Sequence, residues 1–253
     1  MCTVIVLRRP GHAWPLVMAA NRDERLDRAW DPPGAWWPDR PGVVGGRDRT
    51  AGGTWMAFGA SGVVAAALNR PGSLGPASGK RSRGELPLLA ATAASAAAAA
   101  ARIAALPAGE WRPFNLVIAD SAGAFFLRGL GTGQADVVEL PEGVSMVTAH
   151  DPNDLNSPRT RRHLPRFRAA PPPEPGLDDW SGWATLLSDD GQDPETGLAS
   201  TLNVPPVGGF GTVSSSLLAL GGSGAATWRF CAGRPGTSPF SPVRLPLPAA
   251  AAP

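Results

Sequence analysis

Short apolar runs, broken by glycine, proline and charged turns, set the pattern of the chain. Cys2–Leu7 is β-branched and apolar and predicts a buried strand. A turn at Arg9-Pro10-Gly11-His12 leads into a second apolar run, Pro15–Ala20, so the two form a hairpin that ends at Asn21-Arg22-Asp23-Glu24. Asp31–Arg40, with its Pro and Trp, reads as a loop, and the glycines at Gly45-Gly46 and Gly52-Gly53 as turns lining the next hairpin. That hairpin pairs Trp55–Phe58 with Val63–Leu68 across Gly59-Ala60-Ser61-Gly62. After a loop at Pro71–Arg83, the Ala-rich stretch Gly84–Leu106 predicts one long helix. Strand patterns resume at Phe114–Ala119, Ala124–Arg128, Val137–Leu140 and Val144–Thr148. Helices are predicted at Arg159–Phe167 and Leu177–Leu187, and a last hairpin at Gly211–Leu220 and Ala225–Phe230. Helices come in blocks and do not follow every strand. This predicts an α+β domain of antiparallel sheets covered by helices, not a doubly wound parallel sheet. With no repeat and no internal boundary, residues 1–245 read as a single domain and 246–253 as a frayed Pro/Ala tail.

Composition narrows the classes. With 43% hydrophobic residues the chain can fill a sizeable core, and 31 glycines and 28 prolines suit short elements with many turns. A net charge of +2 gives no reason to expect a nucleic-acid partner. Arg159, Arg161, Arg162, Arg166 and Arg168 cluster with only Phe167 among them, and read as a solvated helix face. The apolar start is too short for a secretory leader and charge follows it, while no apolar stretch is long enough for a membrane span, so the expected compartment is the cytoplasm. Ala, Gly, Pro and Arg usage resembles a high-GC bacterial source. The two cysteines, Cys2 and Cys231, do not look like a secreted disulfide scaffold. His12, His150 and His163 are scattered without ligand spacing, so neither a metal nor any other cofactor is expected.

Two features carry candidate chemistry. Cys2 follows the initiator position, where a small residue permits removal of Met1. A chain that starts at Cys2 holds a nucleophile and a base in one residue, because its α-amine can take the thiol proton. A thiol near pKa ~8.5 and an amine near ~8 need only small shifts to react near neutrality. The competing reading is a small apolar residue opening a buried strand. The second feature is the Asn21–Glu24 cluster. The hairpin folds it back towards Cys2, where Asp23 could hold an ammonium and Arg22 could favour a thiolate; alternatively Arg22 and Asp23 are a surface ion pair on a solvated turn. Trp30, Trp36 and Trp37 either line an apolar pocket mouth or belong to the core.

A resemblance then covers the first third of the chain. Met1-Cys2-Thr3, Pro15 through Glu24, Gly45 through Trp55, Ala67-Leu68-Asn69-Arg70 and Ser82-Arg83-Gly84-Glu85-Leu86 closely resemble, in order and spacing, the NRDE-motif family, also called the transport and Golgi organisation protein 2 family. That family is similar to the N-terminal-nucleophile (Ntn) hydrolases of the bile salt hydrolase and penicillin V acylase group. The resemblance implies a four-layer αββα sandwich, with Cys2 as nucleophile, Asp23 as the amine-binding Asp, Asn21 in the Asn-x-Asp spacing and Asn69 at the first oxyanion Asn, where an amide N–H would stabilise a tetrahedral oxyanion. The chain departs from the acylases in several places. Their Arg before Asn-x-Asp is Ala20 here, which leaves Arg22 as the available substitute. Their second Asn falls in the Val147-Thr148-Ala149-His150-Asp151 segment, where His150 is either the stand-in, as an acid–base or oxyanion group, or a loop residue at a strand end. Their later Arg has no clear match, and Gly211-Thr212-Val213-Ser214 occurs where the family often has Gly-Thr-Arg-Ser.

The implied function is an Ntn hydrolase acting on a non-peptide C–N bond of a small-molecule substrate. The alternative is a non-catalytic carrier that uses the same cleft for an apolar ligand such as a lipid or haem. A scaffold without a site is a third reading, since fold alone does not decide.

Overall fold

The computed structural model describes residues 2–246; the expected tail falls almost wholly outside them. In chain order the elements are β1 (Thr3–Arg8), β2 (Leu16–Arg25), β3 (Trp30–Gly34), β4 (Val43–Asp48), β5 (Met56–Gly59), β6 (Val64–Asn69), α1 (Glu85–Ala91), α2 (Ala96–Ala104), β7 (Phe114–Ala119), β8 (Ala124–Gly129), β9 (Asp136–Glu139), β10 (Gly143–Val147), α3 (Pro158–Ala169), α4 (Ser181–Leu187), β11 (Phe210–Leu220), β12 (Ala226–Cys231) and β13 (Phe240–Pro242). They build two antiparallel sheets, ordered β10-β1-β2-β11-β12-β13 and β3-β4-β5-β6-β7-β8-β9.

The strand period of two sorts side chains into layers. On β1, Val4 and Val6 point between the sheets, and Ile5 and Leu7 point outward. Between the sheets, Val4, Val6 and Met18 meet Phe58, Val64, Val117 and Phe126 in one core. Outside the second sheet, Leu86 of α1 and Ile103 of α2 cover Leu116, Ile118 and Leu127. Outside the first, Phe167 of α3 and Trp183 and Leu187 of α4 cover Ile5, Val17 and Leu217. The order helix, sheet, sheet, helix is the four-layer αββα sandwich that the resemblance implied.

Several local expectations are corrected. The predicted long helix is two, because Ser95 caps a new start: its hydroxyl accepts from Ala98 N at 3.1 Å, and Asp120 accepts from Ala96 N at 2.7 Å. Alanine propensity alone does not reveal that break. Part of the segment expected as a loop is strand β3, and Gly45-Gly46 lie within β4 instead of in a turn. There the bare Cα of Gly45 admits the neighbouring strand: a Cβ would lie 2.6 Å from the Met56 carbonyl oxygen. Gly53 has a comparable role at the head of α1, where Thr54 N donates to Gly84 O at 3.0 Å and a Cβ on Gly53 would meet the Gly84 backbone at 2.6 Å. The predicted helix Leu177–Leu187 is a short 3-10 turn, Pro175–Leu177, followed by α4. Among the described residues, no helix is long and apolar enough to cross a membrane.

Candidate active site

β1 and β2 pair antiparallel with Thr3 opposite Asn21, so one further step along the register sets Cys2 beside Arg22. The Asn21–Glu24 cluster is not a turn at the strand end. It lies inside β2, which continues to Arg25 because β11 pairs along its other side. On β2 the alternation sends Ala20 and Arg22 towards the inter-sheet space and Asn21 and Asp23 towards α3 and α4. The guanidinium of Arg22 thus points to the face that an Arg at position 20 would use. This is a physical reason why the Ala20 departure leaves the site with a cation.

Cys2 is half-buried against the inter-sheet core, with its thiol 3.6 Å from the backbone carbonyl of Asp23. Burial, and after it the Asp23 charge, raise its pKa above the ordinary thiol value, and Arg22 opposes them only weakly. Arg22 acts in the expected direction, towards the thiolate, and is outweighed by burial and Asp23. Arg22 is 6% exposed. Its guanidinium lies 4.1 Å from the ring centre of Trp55 and 6.0 Å from that of Trp30. Its Nη2 is 3.5 Å from Glu24, while its buried Nη1 has no hydrogen-bond partner among the described residues. The two rings meet edge to face at 5.7 Å, so Trp30 joins the site, whereas Trp36 lies beneath Arg47 and Trp37 donates to Gly52 O. Cys2, Asn21, Arg22, Trp55, Leu68 and Ser214 are among the residues around a narrow cleft with 20 Å³ of room, enough for about one water.

Behind this cleft Asp23 is held from two sides. Thr212 Oγ donates to one carboxylate oxygen at 2.7 Å, and Arg159 Nη1 donates to the other at 2.9 Å and to Thr3 Oγ at 3.0 Å. Thr212 stands opposite Asp23 because β11 bulges at Val213: Thr212 pairs with Asp23 and Ser214 with Arg22. Arg159 is thus no part of a solvated face. It is 2% exposed, whereas Arg161 and Arg168 on the same helix are exposed. Sequence reasoning missed both Arg159 and Thr212. The signal for Arg159 was its place one turn before His163 and two before Phe167, on the buried stripe of α3.

The remaining candidates have different surroundings. Asn21 donates to the carbonyls of Leu187 at 2.9 Å and Leu202 at 3.1 Å and accepts from Ser215 Oγ at 2.7 Å, so its amide fastens the α4 region to β2. Asn69 ends β6 next to Leu68 of the cleft, and its side chain makes no hydrogen bond among the described residues. His150 lies 3.5 Å from Asp154, and its carbonyl accepts from the buried Asn115 at 2.8 Å. Asn115 also accepts from Arg70, which pairs with Asp151, so this segment ties the two sheets together and no described contact brings His150 to Cys2. Among the described residues, no group of three or more His, Cys, Asp or Glu is placed to hold a metal ion.

Comparison with known proteins agrees with this geometry at the level of fold. The structure is similar to a Caenorhabditis elegans N-acylethanolamine-hydrolyzing acid amidase ortholog at 11% identity, covering 85% of this chain and 92% of that one with a TM-score of 0.52. Weaker likenesses are to penicillin V acylase from Agrobacterium tumefaciens (12% identity, 97% and 99% covered, TM-score 0.45) and to a mutant conjugated bile acid hydrolase from Clostridium perfringens (13% identity, 57% and 53% covered, TM-score 0.38). These neighbours have Ntn-hydrolase folds, and at such identities the likeness concerns fold alone. No curated protein matches the sequence. A family model, Transport and Golgi organisation 2, matches residues 1–166, well over half the chain. The chain belongs to the Transport and Golgi organisation 2 family.

Proposed function

We propose that the chain is an N-terminal-cysteine hydrolase that cleaves a non-peptide amide bond, with Cys2 as nucleophile after removal of Met1. The observation that carries this reading is the setting of Cys2: its thiol opens on the inter-sheet cleft beside Arg22, and directly behind it Asp23 is fixed by Arg159 and Thr212. A thiol whose pKa burial raises needs a base within reach, and the α-amine of a chain starting at Cys2 supplies one. In the proposed reaction the amine takes the thiol proton as sulfur adds to the amide carbon. Collapse of the tetrahedral adduct breaks the C–N bond, and the departing amine receives that proton. Water then cleaves the thioester, releasing the carboxylic acid and restoring the thiol. Asp23 orients the ammonium that forms transiently, and the buried Nη1 of Arg22 and the amide of Asn69 are the candidate oxyanion donors.

The test is turnover of a panel of N-acyl amides by the purified chain. The reading predicts release of the amine by the parent and by Cys231→Ala, and none by Cys2→Ala. Equal release by Cys2→Ala, or none by a parent that lacks Met1, contradicts it.

A further inference from the structure

A second hollow lies on the far face of the first sheet, where α3 and α4 cover β1 and β10. Its volume is 390 Å³, within the range of about 300–1,000 Å³ usual for small-molecule sites. Leu7 of β1, Val144 of β10, Phe167 of α3 and Trp183 of α4 give it apolar walls, and it shares no lining residue with the cleft at Cys2. Strand alternation explains the separation: Leu7 points outward, away from the inter-sheet space on which Cys2 opens.

The charged residues lining this hollow are Glu142 and Arg168, one of each sign and both exposed. They do not neutralise each other. Arg168 Nε donates to the Val144 carbonyl at 3.3 Å, which holds the guanidinium against the wall, and among the described residues Arg168 pairs with no carboxylate. The Glu142 side chain takes part in no hydrogen bond or ion pair among the described residues. Arg9 stands one step beyond the Arg8–Gly143 pair of β1 and β10, and the carboxylate that acts on it is Glu174. Two opposite charges thus share one hollow, unpaired, beside apolar walls that weaken solvent screening. Trp183 adds a separate observation. It is 1% exposed, and its indole N–H is buried without an acceptor among the described residues, a state uncommon in folded proteins.

Simple ligand classes conflict with this lining. An anion meets Glu142, a cation meets Arg168, and a neutral hydrocarbon leaves both charges unused. A zwitterion with an apolar body conflicts with none of it. We infer that the hollow is a binding site for a free α-amino acid with a large apolar side chain. Its ammonium faces Glu142, and its planar carboxylate faces the guanidinium of Arg168. Its side chain packs on Phe167 and Trp183, whose rings meet edge to face at 5.2 Å. The site stands apart from the hydrolase reading, and no bond is made or broken in it.

The test is calorimetric titration of the purified chain with L-phenylalanine and with two analogues that each lack one charge, L-phenylalaninamide and 3-phenylpropionate. L-Phenylalanine should bind with a Kd on the order of 1 mM or tighter, and each analogue roughly three- to tenfold more weakly. Arg168→Gln should bind phenylalanine and its amide equally, and Glu142→Gln should bind phenylalanine and 3-phenylpropionate equally, because each variant lacks the charge that reads the missing group. Both positions are exposed, so neither substitution should disturb the fold. Cys2→Ala should bind phenylalanine as the parent does, because its cleft lies on the other face of the sheet. A parent that does not bind phenylalanine, analogues that bind as tightly, or variants that keep the parent's order of preference overturn the inference. Loss of binding in Cys2→Ala would place the amino acid in the cleft and overturn it equally. None of these measurements requires turnover, so failure of the hydrolase reading leaves this test standing.

Discussion

Asp23 of β2 and Arg159 of α3 form a 2.9 Å ion pair with side chains 0% and 3% exposed, so two charges separated by 136 positions in sequence meet almost out of water. Removing one partner of such a pair takes a counter-charge from a buried group, which typically costs about 3–5 kcal/mol. Arg159→Met should destabilise the fold by that order in denaturant titrations. Asp23→Asn with Arg159→Met should cost less than the two single changes added, because the buried carboxylate charge is gone along with its cation. Additive losses would mean that the pair is not coupled.

His163 supplies a pH-dependent contribution to stability. It is wholly buried, with Nε2 2.9 Å from the Ser200 carbonyl and Nδ1 3.2 Å from Arg166. Burial chiefly, with Arg166 and Arg162 against it, pulls its pKa from 6.5 to about 4; the Ser200 carbonyl and Asp189 act in the opposite sense. The folded state therefore binds fewer protons than the unfolded state between those values. Stability from this residue is complete above about pH 6.5 and falls as pH drops towards 4, by about 3 kcal/mol at most. Urea midpoints measured across that window should decline less steeply in His163→Gln than in the parent. Parallel declines would assign the acid sensitivity to other groups.

Antiparallel sheets covered by helices were legible in the sequence because strands of period two and helices arriving in blocks leave few architectures, and the four-layer order followed from the resemblance. Cys2, Arg22 and Asp23 were legible because the hairpin brings them together and because their block resembles a family. What stayed hidden depends on contacts distant in sequence. β2 extends through Asn21–Arg25 only because β11 pairs with it, and nothing local distinguishes that polar stretch from a turn. Arg159 looked like one of five surface cations until helix periodicity was set against the buried positions of α3. The break before Ser95 was masked by alanines that suit a helix on either side.

The two thiols should differ in reactivity. Cys231 is fully buried, and burial lifts its pKa to about 11, whereas the half-buried Cys2 is raised by burial and Asp23 and lowered by Arg22. Iodoacetamide should modify Cys2 well before Cys231 in the native protein. The Cys2 rate should keep climbing with pH beyond the ordinary thiol range, and Arg22→Gln should slow it further at neutral pH. Equal rates for the two thiols would remove the case for a cleft opening at Cys2.

Whether Cys2 can act with its own amine as base is the central claim, and the intact mass of the folded, purified protein tests it most directly. The account predicts a chain lighter by one methionine residue, with a free Cys2 amine that an amine-selective reagent labels less readily in the parent than in Asp23→Asn. A folded protein that retains Met1 throughout would contradict it, because the thiol would then have no α-amine to take its proton.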